Sequence, residues 1–447
     1  MTEIRYGRQT ELALGNFPVS GERVPLAVVH ALAMIKAEAA ATNVELGVAS
    51  IDAPLAEAIG AAARQVIEGT WDDQFVLDVF QTGSGTSTNM NVNEVIASLA
   101  SEALGREVHP NDHVNASQSS NDTFPSAVQL ATADQLEVDL LPALETLRTS
   151  LAGAAERFAD VVKAGRTHLM DAVPITLGAE FDAYRAQIDE AVERLEGTRP
   201  RLCRIPLGGT AVGTGLAAPE GFGERVAARL AERTGLPVVI APSRVAAQGS
   251  RDALVEVSGQ LRGLAVALMK IAADIRLMAS GPSTGLAEIT LPALQAGSSI
   301  MAGKVNPVMT EMMAQVCAQV MGNDVAVGIA GSQGILELNT YQPMIAANVL
   351  RSVSLLANAC RLFAARCVDG IEADAERCLR LARSSPSITT ALLPILGYDR
   401  VAELVKSAAA QGIDVVQAAA AIMPAADAED ALDVRRMARG QEAPGRT

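Results

Sequence analysis

Positive charge, aromatic rings and paired cysteines are all scarce in this chain of 447 residues. A net charge of -15 repels nucleic acid, and an aromatic content of 3% leaves few platforms on which bases could stack. The five cysteines are an odd number without a Cys-x-x-Cys pair, which favours buried thiols in a reducing compartment over disulfides or a zinc site. The net negative charge and the few aromatic rings together predict no nucleic-acid partner.

Long uncharged runs are also missing, and none reaches the roughly 18–20 residues that a membrane span needs. The first residues contain no basic lead followed by an apolar run, so no secretory signal is visible. Both absences predict a cytoplasmic protein without a membrane partner. Hydrophobic residues make up 49% of the chain, which is enough for a large core in two or three structural units.

Two heptad stripes indicate long helices. Apolar residues recur at alternating gaps of three and four over residues 254–278, and residues 349–367 repeat the arrangement. Helices of this length must bury their stripes against other long helices. Residues 24–41 and 55–68 also read as helices, whereas residues 236–240 form the best short strand candidate. The pattern predicts a mainly α protein with a long-helix bundle at its centre.

The strongest chemical signal lies between two glycines, Gly297 and Gly303, which give the backbone freedom to open and close a loop. This segment and the residues after it hold two hydroxyls, a cation, an amide and a carboxylate: Ser298, Ser299, Lys304, Asn306 and Glu311. Such a set suits a carboxylate substrate, because the cation and the amide donate to an anion while a hydroxyl transfers a proton. The alternative is a polar surface loop that leads into a helix.

Two further blocks hold small polar residues just before helical runs: Ser84, Gly85 and Thr86 in the first, and Ser119, Ser120 and Asn121 in the second. Glycines allow backbone N–H groups to approach a ligand, and exposed N–H groups at a helix start favour an anion. The alternative role of both blocks is ordinary helix capping, and a block can do both.

Histidine is rare, with four residues in the chain. His168, which follows Thr167, can exchange protons near neutral pH, although a lone histidine is more often structural. The four-residue spacing of His109 and His113 is compatible with metal ligands, but Pro110 makes this segment a loop and no third ligand is in view. We therefore expect no metal.

Residues 297–307 resemble the signature loop of the fumarase/aspartase superfamily, Gly-Ser-Ser-x-Met-Pro-x-Lys-x-Asn-Pro. The match fails at one fixed position, where Ala302 replaces proline. The resemblance extends from residues 6–10 to residues 397–399, so it spans nearly the whole chain. Among the branches of the superfamily the chain is most similar to class II fumarases, whose forms appear in the blocks at 83–86, 119–121 and 167–168.

The resemblance implies a mainly α, three-domain fold whose central long-helix bundle assembles into a tetrameric core. The implied domains are an N-terminal lyase domain (1–116), a central helical bundle with a mobile catalytic loop at 296–307 (117–375), and a small C-terminal helical domain (376–447). It further implies a homotetramer whose active sites are shared between subunits, with no metal and no organic cofactor.

The activity implied is that of a fumarate hydratase, which adds water to fumarate in the anti sense and reversibly to give L-malate in the tricarboxylic acid cycle. Carried over by position, Ser298 is the base, and His168 with Glu311 activates or protonates the water. The implied substrate-binding residues are Ser84, Gly85, Thr86, Ser119, Ser120, Asn121, Thr167, Lys304 and Asn306. A second, non-catalytic dicarboxylate site corresponds to His109, Pro110, Asn111 and Asp112.

Departures from the fumarase pattern leave alternatives open. Ala302 adds backbone entropy to the loop, Leu393 and Pro394 stand where fumarases have Asn and a polar neighbour, and Ala179 and Asp182 replace Gln and Ser. These differences are neutral, or they mark a paralogue with another leaving group. The rival functions are an aspartase-like ammonia or amine lyase that releases fumarate from an aspartate-type substrate, and a catalytically silent structural homologue.

Overall fold

Helices dominate the computed structural model, which describes residues 3–440 of the chain. In that range the α-helices are α1 Arg8–Asn16, α2 Leu26–Glu45, α3 Ala53–Ile67, α4 Thr86–Leu104, α5 Ser120–Gln135, α6 Leu141–Arg157, α7 Leu177–Glu196, α8 Arg199–Leu202, α9 Phe222–Thr234, α10 Arg244–Gly249, α11 Asp252–Met278, α12 Val308–Gly331, α13 Gln342–Arg366, α14 Ala375–Ser384, α15 Leu393–Leu396, α16 Tyr398–Gln411, α17 Val415–Ala420, α18 Ala425–Ala431 and α19 Val434–Met437.

The strands are short and pair two by two. They are β1 Val162–Thr167, β2 Met170–Thr176, β3 Arg204–Ile205, β4 Val239–Ile240, β5 Ile289–Thr290, β6 Gly334–Ile335, β7 Leu338–Asn339 and β8 Glu372–Ala373. The pairs β1–β2, β5–β8 and β6–β7 are antiparallel, and β3–β4 is parallel. The longest of these sheets is the hairpin of β1 and β2, so the prediction of a mainly α protein is confirmed.

Both heptad stripes are buried along their whole length. On α11 the buried residues are Leu254, Val257, Leu261, Leu264, Leu268, Ile271, Ile275 and Met278. On α13 they are Val349, Val353, Leu356, Cys360 and Phe363, and Cys367, directly after the helix, is buried too. These helices have 27 and 25 residues, and α12 has 24, against a usual length of about 11–12. The predicted long helices are therefore present, and the predicted face of each is the buried one.

The shorter predicted elements have mixed outcomes. The helices expected at 24–41 and 55–68 are present as α2 and α3, and the side chain of Asp52 caps α3 by accepting from the backbone N–H of Leu55 at 2.8 Å. The strand expected at 236–240 is only partly right, because just its last two residues pair, with β3. Pro237 has no N–H to donate to a neighbouring strand, which limits the pairing.

The chain divides into two compact units, each assembled from three segments. The first unit comprises Met1–Ala143, Ala191–Val266 and Val316–Asn358, and the second comprises Leu144–Glu190, Ala267–Gln315 and Ala359–Thr447. The three-domain boundaries after residues 116 and 375 stay a prediction.

The second unit contains the β1–β2 hairpin and a C-terminal apolar cluster. Thr167 and Met170 are partners at the tip of the hairpin, and the two residues between them, His168 and Leu169, have φ of 57° and 61°. Positive φ at both central residues is typical of the two-residue hairpin turn whose backbone matches the right-handed twist of the flanking strands. Val162 of β1 is buried in one cluster with residues of the C-terminal helices, including Ile388 and Leu392, so this part of the chain braces the hairpin.

No disulfide joins the five cysteines, all of which lie within residues 3–440 and are buried. Across the same described range, no helix combines the length and the apolar character that crossing a membrane requires.

Candidate active site

Three hydroxyls from two of the sequence blocks meet at helix starts in the first unit. Thr86 Oγ1 lies 2.7 Å from Ser84 Oγ and 2.6 Å from Ser120 Oγ. Thr86 is the first residue of α4 and Ser120 is the first residue of α5. The positive ends of two helix dipoles therefore accompany these hydroxyls. This hydroxyl cluster (Ser84, Thr86 and Ser120) is suited to an anion.

The two glycines beside the hydroxyl cluster lie so close to neighbouring residues that a side chain would not fit at either position. A Cβ at position 83 would lie 1.7 Å from the carbonyl oxygen of Thr340, and a Cβ on Gly85 would lie 2.3 Å from the ring of Phe124. Gly85 also has a φ of 76°, which side-chain-bearing residues rarely adopt. Gly85 thus shapes the turn that carries Thr86, and its closest neighbours leave no space for a side chain.

The neighbours of Ser120 hold the start of α5 in place. Ser119 Oγ accepts from the backbone N–H of Asn121 at 3.2 Å, and the Ser119 N–H donates to Asp122 Oδ1 at 2.9 Å. Asn121 Nδ2 donates to the carbonyl of Ala211 at 2.9 Å. Asp122, which is fully buried, also accepts two backbone N–H groups of residues 208–210. The sequence-based reasoning missed Asp122, although a serine with an acidic residue three positions later is a capping-box signal.

A buried lysine lies under the same block and was also missed. Lys36 Nζ donates to Asn115 Oδ1 at 2.6 Å and to Gln118 Oε1 at 2.9 Å, and its side chain is fully buried. Burial lowers the pKa of Lys36 from 10.5 to about 7, and the charge of Asp122 offsets part of that effect. Burial likewise raises the pKa of Asp122 to about 6, against the hydrogen bonds that it accepts. The first unit therefore holds two titratable groups whose pKa values lie near neutrality.

The second predicted site is a surface turn. His109 precedes the short helical turn Pro110–Val114, and its Nδ1 accepts from the backbone N–H of Asp112 at 3.1 Å. Asn111 and Asp112 are exposed, while His109 and Pro110 are half-buried. The four residues are adjacent in the structure, and dicarboxylate binding to them stays a prediction.

In the second unit, a buried charge network holds the hairpin behind its tip. Arg166 of β1 donates two parallel hydrogen bonds of 2.9 Å to Glu288. Lys163, also of β1, pairs with Glu180 at 2.8 Å and with Glu288 at 3.4 Å. Glu288 is fully buried and Lys163 is only 2% exposed. The network therefore ties the base of the hairpin to the segment that leads into the glycine-bounded loop.

The hairpin tip itself is exposed. The side chains of Thr167 and His168 make no hydrogen bond within the described part of the chain, and their neighbours Leu169 and Met170 are 75% and 70% exposed. The tip therefore presents His168 and two large apolar side chains to solvent.

The glycine-bounded loop, residues 297–306, is closed at its neck and is called the flap below. The Gly297 N–H donates to the carbonyl of Lys304 at 2.9 Å, and Asn306 Nδ2 donates to the Gly297 carbonyl at 2.7 Å. A Cβ on Gly297 would lie 2.3 Å from the Lys304 carbonyl oxygen, so the neck needs glycine. Asn306 thus has a structural bond, and the exposed side chain of Lys304 extends from the same neck.

Ser298 lies just inside this neck with its oxygen surrounded by donors. Ser298 Oγ accepts the backbone N–H of Ile300 at 3.1 Å and that of Met301 at 3.0 Å. Two fixed donors stabilise an anionic oxygen more than a neutral hydroxyl, which favours the alkoxide. The role of Ser298 as a base stays a prediction.

Glu311 lies in the first turn of α12 and is exposed. Within residues 3–440 it forms no hydrogen bond with His168, so the predicted pair is not formed inside this single chain. The described residues also contain no group of three or more His, Cys, Asp or Glu side chains that could hold a metal ion.

Comparisons with known proteins agree on one family. Residues 2–322 match a family model described as lyase. The chain is 53% identical over 410 residues to the class II fumarate hydratase of Corynebacterium efficiens, covering 92% of this chain and 86% of that protein. It is 53% identical over 401 residues to that of Mycobacterium tuberculosis H37Rv, covering 90% of this chain and 84% of the relative.

Solved structures agree as well. The class II fumarase from Schistosoma mansoni superposes with a TM-score of 0.95 at 40% identity, covering 98% of this chain and 96% of that one. A fumarate lyase:delta crystallin from Brucella melitensis superposes with a TM-score of 0.93 at 45% identity and the same coverage. Both likenesses extend over nearly the whole chain.

The buried network predicts a stability effect. Glu288→Gln removes the carboxylate that faces Arg166 and Lys163, and leaves two largely buried cations without it. We expect the free energy of unfolding to fall by about 3–5 kcal/mol, measured by urea denaturation. Glu193→Gln, on the exposed side of α7, is the control and should change it by less than about 0.5 kcal/mol. Equal stabilities of the two variants would contradict the network's role.

The lowered pKa of Lys36 predicts that the stability of the fold depends on pH. Between about pH 7 and pH 10.5 the unfolded chain binds a proton on Lys36 that the folded chain has released, so the free energy of unfolding should rise with pH in this window. Lys36→Met should remove this rise, whereas Lys406→Met, an exposed control, should keep it. Denaturation midpoints at pH 7.5 and 9.5 measure the difference, and parallel pH profiles for wild type and Lys36→Met would rule out the effect.

Proposed function

The chain belongs to the lyase family, as a class II fumarase of the fumarase/aspartase superfamily, and on this premise we propose that it adds water to fumarate in the anti sense and reversibly, giving L-malate. The observation that carries the proposal is Ser298, whose hydroxyl oxygen accepts two backbone N–H groups in the same loop that carries the cation Lys304. Removal of a proton from carbon next to a carboxylate needs such a stabilised base.

In the dehydration direction, Ser298 takes the proton from the carbon beside one carboxylate of L-malate. The electron pair moves into that carboxylate, which becomes a doubly charged aci-carboxylate. Lys304 and the second N–H of the Asn306 amide are the donors assigned to it, and they bind this form more strongly than the ground state. The hydroxyl on the neighbouring carbon then leaves, and His168, oriented by Glu311, gives it a proton so that it departs as water.

The other carboxylate needs a separate cradle, which we assign to two helix starts. The hydroxyl cluster, the N–H groups of α4 and α5, and the side chains of Ser119, Asn121 and Thr167 make up this set. Hydroxyl, amide and backbone N–H groups at helix starts bind an anion without a positively charged side chain. This suits a chain with few cations to spare, since its net charge is -15. The cradle fixes the substrate while the flap carries the base.

We propose a homotetramer, because α12 has a second apolar stripe. Four of its exposed residues recur at gaps of four, three and four on one face: Ala318, Gly322, Val325 and Ile329. Val325 and Ile329 are 62% and 59% exposed in the isolated chain. A helix that is apolar on both faces belongs inside a larger bundle, and further copies of this chain provide one.

Shared active sites follow from the same proposal. The exposed His168 tip, with its apolar neighbours, is suited to completing a site on another subunit, and so is the exposed Lys304. The buried thiols and the absence of disulfides support a cytoplasmic enzyme of the tricarboxylic acid cycle.

A direct assay separates this function from its rivals. Purified protein incubated with L-malate should produce the ultraviolet absorbance of the fumarate double bond, and incubation with L-aspartate should not. A signal with L-aspartate alone would identify an ammonia lyase. No signal with either substrate would favour a silent homologue or another substrate.

Ser298→Ala tests the base. We expect kcat to fall by about 10²–10⁴-fold, the usual contribution of a positioned general base, while the assembly measured by light scattering stays intact. Ser299→Ala is the matched control, because it removes the neighbouring exposed hydroxyl and should keep kcat within a few-fold of wild type. Wild-type turnover in Ser298→Ala would refute the assignment.

A further inference from the structure

A cavity of about 570 Å³ lies in the first unit, away from the hydroxyl cluster. Three arginines line it, Arg201, Arg204 and Arg251, and we call it the arginine pocket. Gln129 of α5 also lines it, and at 1.5 Å per residue this position is roughly 13 Å along the helix from Ser120. The volume lies within the range of about 300–1,000 Å³ that small-molecule sites occupy. The arginine pocket is therefore separate from the proposed substrate site.

Arg251 is the unusual member of the pocket. It is 4% exposed, and its Nε donates to the carbonyl of Ser250. Its Nη2 is buried and has no hydrogen-bond partner among the described residues. Burial lowers the pKa of Arg251 to about 9, and the nearby charge of Asp252 only partly opposes this effect. A buried cation with an unused donor is costly unless an anion completes it.

The rest of the lining also favours an anion. Arg201 is neutralised by Glu256 through bonds of 2.6 and 2.5 Å. Arg204 is exposed, and its side chain forms no ion pair within residues 3–440. Asp252 brings one carboxylate, but it is also the first residue of α11, whose opening N–H groups lie at this wall. Two guanidinium groups without a bidentate carboxylate partner thus line one cavity.

We propose that the arginine pocket binds a small oxyanion, a phosphate or carboxylate group of a metabolite, with Arg251 as the main contact. The planar guanidinium matches two oxygens of either group, and its Nη2 supplies a donor that the protein leaves unused. Arg204, which also lines the pocket, adds a second positive charge. This ligand is distinct from the fumarate or L-malate of the hydroxyl cluster, and the proposal does not depend on that activity.

The test is a thermal-shift titration of the assembled protein with inorganic phosphate and with malonate, against sodium chloride at equal ionic strength. Wild type should show a saturable rise in Tm, and the more effective anion identifies phosphate or carboxylate as the preferred group. Arg251→Met should weaken the apparent affinity at least tenfold, about the loss expected from one charge-assisted hydrogen bond. The control is Arg225→Met, an arginine outside the pocket that is 54% exposed.

Two further readouts test whether the anion binds at Arg251 itself. In sodium chloride alone, Arg251→Met should unfold at the same or a higher temperature than wild type, because an uncompensated buried charge is removed. Crystals soaked in selenate should show anomalous density beside Arg251. Identical titrations of wild type and Arg251→Met, or selenate at the hydroxyl cluster alone, would overturn the proposal. Dissociation of the Arg251→Met assembly would overturn it too, since a carboxylate of a second copy would then be the partner of Arg251.

Discussion

A serine hydroxyl removes a proton from carbon only when its alkoxide is stabilised, and the two backbone N–H groups on Ser298 Oγ meet this condition. Both donors belong to the flap itself, so the proposed base and the groups that stabilise it lie in one short segment. The neck bond between Gly297 and Lys304 keeps that segment closed on itself. Since a Cβ at position 297 would collide with the Lys304 carbonyl, the position of Ser298 at this neck depends on a glycine.

The remaining groups of the site are carried by elements that are held much more firmly. Asp122 fixes the start of α5 through a capping box and through the N–H groups of residues 208–210, which leaves the hydroxyl of Ser120 in contact with Thr86. Arg166 and Glu288 hold the hairpin behind His168. Burying a charged group adds little to stability, but a buried charged group with all of its hydrogen bonds formed holds its neighbours in one geometry. In the proposed function this division is expected, because the cradle has to be rigid whereas the flap has to open to admit the substrate.

Sequence reasoning was most reliable where the physics is periodic. Every residue of the stripe from Leu254 to Met278 is buried as predicted. A repeat of 3.5 residues places all of these apolar side chains on one face of the helix, and that face packs inward. The β1–β2 hairpin was not foreseen, because His168 and Leu169 adopt left-handed φ without the Asn-Gly signal of such turns. Lys36 could not be found locally either, as its partner Asn115 lies 79 residues away. The flap was recognised by its residue types and its resemblance, but the donors on Ser298 Oγ are a matter of backbone geometry that no residue pattern specifies.

Assembly resolves a tension in this acidic chain. A net charge of -15 opposes the approach of a dianion, so the few cations of the site must be concentrated where the substrate binds. Within one chain Lys304 and the tip with His168 are both exposed, and Val325 and Ile329 face water on α12. In the homotetramer proposed above, burial of that apolar stripe against other copies supplies the free energy of assembly, and exposed tips and flaps are then available to neighbouring subunits. In the same proposal, assembly excludes water from the site, where low polarity strengthens each hydrogen bond to the aci-carboxylate. In the proposed homotetramer the apolar face of α12 therefore contributes to catalysis, because it holds together the subunits that complete each site.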